Sequence, residues 1–158
     1  MARHLGHRLA ITAEGTTLSY DAFEDTVTRI AGGLRTRHGL KTGARVAILM
    51  DNCAAYLPAL FGIWRAGMAA VPINSKLHPK EVAWILKNSE AALVLASEQH
   101  AEALTSLQAS LPPIVVTGTS DWQRLAQSEP APLLPSDPHA EAWIFYTSGT
   151  TGRPKGAV

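Results

Sequence analysis

Residues 45–73 read RVAILMDNCAAYLPALFGIWRAGMAAVPI, and this stretch decides the fold class. It opens with a short apolar run, Arg45-Val46-Ala47-Ile48-Leu49-Met50, entered through Gly43 and left through Asp51-Asn52. The period then changes. Leu57, Leu60, Phe61 and Trp64 fall at i, i+3, i+4 and i+7, the stripe of an amphipathic helix. Gly67 breaks that helix, and Ala69-Ala70-Val71-Pro72-Ile73 is a second apolar run. Near-continuous apolar strands separated by a helix describe a βαβ unit, whose strands lie parallel and are buried on both faces. Pro58 sits rather late among the helix's first residues and is expected to distort it.

The rhythm extends outward in both directions. Upstream, Leu9–Thr12 and Thr17–Tyr20 flank Glu14-Gly15 as a hairpin, and Phe23, Val27, Ile30 and Leu34 step along one helical face. Asp21 and Glu24 suit that helix's start and Gly39 its end. Downstream, Pro79 introduces a helix through Val82, Ile85 and Leu86. Ala92–Leu95 is a strand, Glu98 to about Ala109 a helix, Ile114–Val116 a strand, and Trp122–Ala126 a short helix. The expected fold is α/β: alternating βα units in a mostly parallel sheet with helices on both faces. The units share no sequence, so this is not a repeat protein.

Composition narrows the functional classes. The 158 residues are 46% hydrophobic and 17% charged, which excludes a disordered chain. Fourteen Lys and Arg against 13 Asp and Glu leave a charge of +1, no footprint for nucleic acid or an anionic membrane. Pro58, Arg65, Gly67 and Pro72 interrupt the most apolar region, so no membrane span is expected. The lone Cys53 and the lack of a signal-like start point to the cytoplasm. His4 and His7 have metal-ligand spacing without further ligands nearby in the sequence, so no metal site is assigned. His38, His78, His100 and His139 read as surface or capping residues, and Trp64, Trp84, Trp122 and Trp143 as core or rim aromatics.

Residues 128–140 hold Pro130, Pro132, Pro135 and Pro138, four of ten prolines, and read as an extended connector. It leads into an apolar strand, Ala142–Tyr146. Beyond it, residues 147–156 pack three glycines, four hydroxyls and two cations into ten positions. Glycines let backbone N–H groups close on an anion, hydroxyls add donors, and a lysine adds mobile positive charge. A polyphosphate needs that combination. The spacing is not that of a Walker loop, because only two residues separate Gly149 from Gly152 and Gly156 follows Lys155. No G-x-G-x-x-G is present. Arg153 reads as a solvated turn residue.

The run YTSGTTGRPKG, Tyr146 to Gly156, resembles the phosphate-loop signature of the adenylate-forming superfamily of acyl- and aryl-CoA synthetases, nonribosomal adenylation domains and luciferases. Leu18-Ser19-Tyr20, Gly43–Leu49, Arg65–Asn74 and Pro79–Leu86 resemble the first third of that family, so the likeness covers the whole chain. His78 departs from it, standing where a threonine often caps the helix.

The resemblance implies an incomplete N-terminal subdomain of a longer ATP-dependent ligase, inactive alone. Such an enzyme uses ATP, Mg²⁺ and CoA to turn a small-molecule carboxylate into an acyl-adenylate and then a thioester. It also implies that Thr147, Ser148, Gly149, Thr150, Thr151, Gly152 and Lys155 hold the ATP phosphates, with Lys155 supplying catalytic charge. Thr150-Thr151 leans toward the CoA ligases. A nonribosomal-type adenylation domain and a non-catalytic nucleotide-binding module are the alternatives. Only Ala157 and Val158 follow the loop, too few for a strand, so the loop is expected to be anchored at one end.

Overall fold

The structure is a computed structural model that describes residues 6–13, 15–107, 110–135, 137–147 and 154–158. A hairpin of β1 (Leu9–Ala13) and β2 (Thr16–Ser19) comes first and feeds α1 (Tyr20–Thr36). Ser19 caps that helix by accepting from the Ala22 N–H at 3.2 Å. At its far end Gly39 takes φ +64°, and the Leu40 N–H returns to the Leu34 carbonyl.

Then the βα units follow: β3 (Arg45–Leu49), α2 (Tyr56–Arg65), β4 (Ala69–Pro72), α3 (Pro79–Asn88), β5 (Leu93–Ala96), α4 (Glu98–Thr105), β6 (Ile114–Val116) and α5 (Ser120–Ala126). The four strands form one parallel sheet in the order β4-β3-β5-β6. This is the α/β architecture that the alternating periods predict.

The two-residue period of the strands divides the core. Val46, Ile48, Leu93 and Leu95 face one side, where they meet Ile30 and Leu34 of α1, Ile63 of α2 and Leu125 of α5. Ala47, Leu49, Val94 and Ala96 face the other, against Val82, Ile85 and Leu86 of α3 and Leu104 of α4. The helices α1 and α2 pack closely because Gly62 has no side chain: a Cβ there would lie 2.5 Å from Cγ2 of Ile30.

Three local expectations change, and one, the capping role open to His78, is met. The helix α2 starts at Tyr56, so Pro58 falls in its first turn, where no N–H is needed for a helical bond. The helix α4 stops at Thr105, because the Thr105 and Ser106 hydroxyls donate back to the Ala101 and Ala103 carbonyls and compete with helix propagation. His78 caps α3: its Nδ1 accepts from the Lys80 N–H, and Glu81 accepts from the His78 N–H at 3.0 Å. His38 and His100 are not simple surface residues. Among the described residues the buried His38 Nε2 has no hydrogen-bond partner, and the His100 side chain is only 15% exposed beside Asp51.

The proline-rich stretch runs across α1. Ala131 donates its N–H to the Thr28 carbonyl at 2.8 Å and is buried, and Arg29 reaches the Ser128 carbonyl at 3.4 Å. Its path passes directly over Gly32.

Candidate functional site

The strand expected at Ala142–Tyr146 divides into two parts. Residues 142–144 lie beside β4: Ala142 accepts from the Ala70 N–H at 3.0 Å, and Ile144 donates to the Ala70 carbonyl at 2.9 Å. This short segment adds a parallel edge to the sheet. It is held from behind by Trp64, whose Nε1 donates to the Ala142 carbonyl at 2.7 Å. Arg45, at the start of β3, reaches Glu141 at 3.2 Å and the Ser89 carbonyl at 3.1 Å.

After Ile144 the chain leaves the parallel sheet. The strand β7 (Phe145–Thr147) pairs antiparallel with β8 (Lys155–Ala157), in the register Phe145 to Ala157, Tyr146 to Gly156 and Thr147 to Lys155. The loop is therefore anchored at both ends, contrary to the expectation of a single anchor. Lys155 and Gly156 themselves supply most of the second strand, so the two residues after the loop need not form one alone. The candidate loop is carried on a hairpin and not on the end of a strand of the main sheet.

Of the seven residues assigned to phosphate, Thr147 and Lys155 are described, and the register sets them opposite each other, both exposed. Ser148, Gly149, Thr150, Thr151 and Gly152 lie outside the described residues, as does Arg153. The segment 147–156 contains no carboxylate, so its donors and cations fit a polyanion. Among the described residues, no group of three or more His, Cys, Asp or Glu side chains is placed to hold a metal ion. His4 lies outside the described residues.

The hairpin's base rests on the C-terminal half of α3. The Tyr146 hydroxyl donates to Oδ1 of Asn88 at 2.8 Å, and its ring meets Trp84 edge to face at 6.2 Å between centroids. Burial pushes the Tyr146 phenol above its ordinary range, against the opposing influence of Arg45 and a hydrogen bond with Ser89. Gly156 lies directly under this ring: a Cβ there would come within 3.1 Å of the Tyr146 Cζ. Gly156, the third glycine of the segment and not one of the residues assigned to phosphate, makes room for the ring of Tyr146. Neither Asn88 nor Trp84 carried any local signal, because they lie about 60 residues upstream of their partner.

A second polar group sits at the carboxyl ends of β3 and β5. Asp51 accepts from Gln99 at 2.8 Å and lies 3.3 Å from the His100 Nε2. A hydrogen bond from Ser75, aided by His100 and Gln99, holds the Asp51 carboxyl below its usual range.

The fold, with its parallel four-stranded sheet and its hairpin, is that of the N-terminal domain of adenylate-forming enzymes. It superposes on the Mycobacterium tuberculosis fatty acyl CoA synthetase with a TM-score of 0.87 at 28% identity, covering 99% of this chain and 32% of that one. The chain belongs to the AMP-binding enzyme family, whose sequence profile matches residues 1–158. Among curated relatives, feruloyl-CoA synthase of an Amycolatopsis species is 39% identical over 157 residues, 99% of this chain and 31% of its own length. Crotonobetaine/carnitine–CoA ligase of Escherichia coli is 34% identical over 175 residues, 97% of this chain and 33% of its own length. The chain thus spans about a third of the length of the curated relatives it matches. No helix of the described residues is long and apolar enough to cross a membrane.

Proposed function

We propose that this chain is the phosphate-loop-bearing part of an AMP-forming acyl- or aryl-CoA ligase, which activates a small-molecule carboxylate with ATP and transfers it to CoA. The observation that carries this reading is the β7–β8 hairpin. It closes residues 147–155 into a loop whose composition suits a polyphosphate and whose ends, Thr147 and Lys155, face each other. In this reading residues 1–158 form part of the AMP-binding domain, 128–140 the connector and 147–156 the phosphate loop. The nonribosomal alternative has less support, since Thr150-Thr151 leans toward the CoA ligases and the curated relatives above are CoA ligases.

The chain's own contribution is electrostatic. When the substrate carboxylate attacks the α-phosphorus, negative charge accumulates on the departing pyrophosphate. The Thr147, Ser148, Thr150 and Thr151 hydroxyls, the N–H groups of Gly149 and Gly152, and the Lys155 ammonium would bind the β- and γ-phosphates and stabilise that charge. No residue here needs to move a proton. Mg²⁺ would arrive with the nucleotide and neutralise part of the phosphate charge.

A chimera tests the reading. Residues 1–158 replace the matched third of the Amycolatopsis feruloyl-CoA synthase, and ferulate-dependent pyrophosphate release is measured in single turnover. Lys155→Ala in this chimera lowers the adenylation rate by roughly one to three orders of magnitude, the scale of one transition-state donor. An unchanged rate removes Lys155 from the phosphate site and sinks the assignment.

A further inference from the structure

Two rings connect the hairpin to the rest of the molecule: Phe145 meets Trp143 at 4.6 Å between centroids, and Tyr146 meets Trp84 at 6.2 Å. Among the described residues, it is the Tyr146 hydroxyl that ties Phe145–Ala157 by hydrogen bonding to the end of α3, through Asn88 at 2.8 Å and through Ser89. The last backbone tie to the sheet is at Ile144. Beyond it, β7 and β8 hold each other through their ladder. The Tyr146 ring lies over Gly156, within 3.3 Å of where its Cβ would sit for both Cζ and Oη, so the ring's position fixes β8 as well as β7. Since β8 begins with Lys155, a rotation of this ring re-aims the lysine and both ends of the loop.

We propose that Tyr146, held through its hydroxyl by Asn88, is a positioning residue for the phosphate loop. It sets the angle at which Thr147 and Lys155 meet the ligand without touching the ligand itself. This rests on the phosphate-loop reading above and adds to it a residue pair, 58 positions apart in sequence, that fixes the loop's aim. The pair is suited to aim more than to stability. Asn88 is an exposed residue near the end of α3, where a single hydrogen bond adds little to the folded state. The ring, by contrast, is half-buried and meets Trp84 edge to face, which leaves its hydroxyl end to be held by Asn88. The phenol, whose ordinary value is about 10 and which burial raises further, is protonated and so a donor throughout the neutral range. A binding site held too loosely by its supporting residues loses affinity even when every contacting residue is present.

The test titrates Mg²⁺-tripolyphosphate into the 158-residue chain at ~0.15 M salt, where weak charge effects are screened, and follows backbone amide shifts by NMR. Tyr146→Phe and Asn88→Leu each weaken binding about fivefold, the scale of one lost hydrogen bond, and the double variant is no worse than either alone. Asn88→Asp, which keeps the acceptor, restores affinity to within about twofold while melting temperatures stay level. Such rescue would not follow from a merely structural role. The contrast between Asn88→Leu and Asn88→Asp decides the matter even if Tyr146→Phe folds poorly. If Lys155→Ala weakens binding while Tyr146→Phe and Asn88→Leu do not, the positioning role is wrong and the phosphate-loop reading stands. If Lys155→Ala binds as the parent does, or the parent shows no saturable binding, the phosphate-loop reading falls and the positioning role with it.

Discussion

Replacing Gly32 by alanine sets two opposed effects against each other at a single atom. Gly32 is buried in the interior of α1, where alanine is the better helix former by about 1 kcal/mol. On propensity alone the variant is more stable. The new Cβ, however, would lie 1.8 Å from the Glu129 carbonyl oxygen, 3.0 Å from its carbon and 3.3 Å from the Ala131 nitrogen. For ordinary contact near 3.4 Å, that carbonyl must retreat by about 1.6 Å. The connector is not free to slide, because Ala131 is bonded to the Thr28 carbonyl at 2.8 Å and is 7% exposed. Losing that bond costs about 1 kcal/mol, and overpacking of this kind costs typically 1–3 kcal/mol. The sum outweighs the propensity gain, leaving Gly32→Ala destabilised by about 1–3 kcal/mol. Urea unfolding followed by circular dichroism measures the change, and limited proteolysis within residues 128–135 reports whether the connector has lifted. A variant more stable by about 1 kcal/mol, with the connector still protected, would falsify the claim that the connector is seated on α1.

Two further outcomes follow from single side chains. Burial, aided by neighbouring Arg37 and opposed by Asp121, holds the His38 imidazole below its ordinary value of about 6.5. The native state therefore prefers the neutral ring, so the His38 contribution is complete above about pH 6.5 and is lost as pH falls through that value toward the lowered native one. His38→Gln flattens this acid-side slope in urea midpoints measured from about pH 7.5 to 5.5, and an unchanged slope assigns it to other groups. Cys53, half-buried at the rim of the core against α2, has no cysteine partner. Cys53→Ser costs less than ~1 kcal/mol and leaves tripolyphosphate affinity unchanged, and loss of binding in a folded variant would give the thiol a role.

The sheet was legible in the sequence wherever one period prevailed. Arg45–Leu49 and Ile114–Val116 fall within a residue of their expected bounds, because a parallel strand buried on both faces must be apolar throughout. The run Ala142–Tyr146 looks equally uniform, and nothing in it marks where it changes partner. The break at Ile144 is set from outside: the edge of β4 offers Ala70 as partner, and beyond it Lys155–Ala157 competes for the strand. The loop's composition was readable because glycines, hydroxyls and lysine cluster within ten residues. What holds the loop was not, because Tyr146 and Asn88 are brought together only by the packing of the hairpin on α3.

The packing also leaves a row of aromatic rings at the surface, and its area fixes how the isolated chain behaves. Phe23, Phe61, Trp64, Trp143 and Phe145 follow one another at centroid spacings of 5.3, 5.2, 4.9 and 4.6 Å. Phe61, Trp143 and Phe145 remain 42%, 37% and 44% exposed, with Leu57 beside them at 41%. With aromatic side chains presenting about 150–250 Å² each, the row exposes on the order of 300 Å² of apolar surface. That matches the largest patch on an ordinary monomer. At ~25 cal/mol per Å², covering one such patch yields about 7 kcal/mol, within the 4–15 kcal/mol that association costs. It also falls well below the ~800 Å² per partner of a stable interface. Sedimentation should therefore find a monomer at micromolar concentration that binds an apolar dye, with only weak association as concentration rises. Phe145→Ser and Phe61→Ser remove the dye signal, and Phe61→Ser lowers the urea midpoint more, since it loses two edge-to-face contacts against one tilted contact for Phe145, at about 0.5–1.5 kcal/mol each. A compact dimer that persists through both substitutions would place the associating surface elsewhere on the molecule.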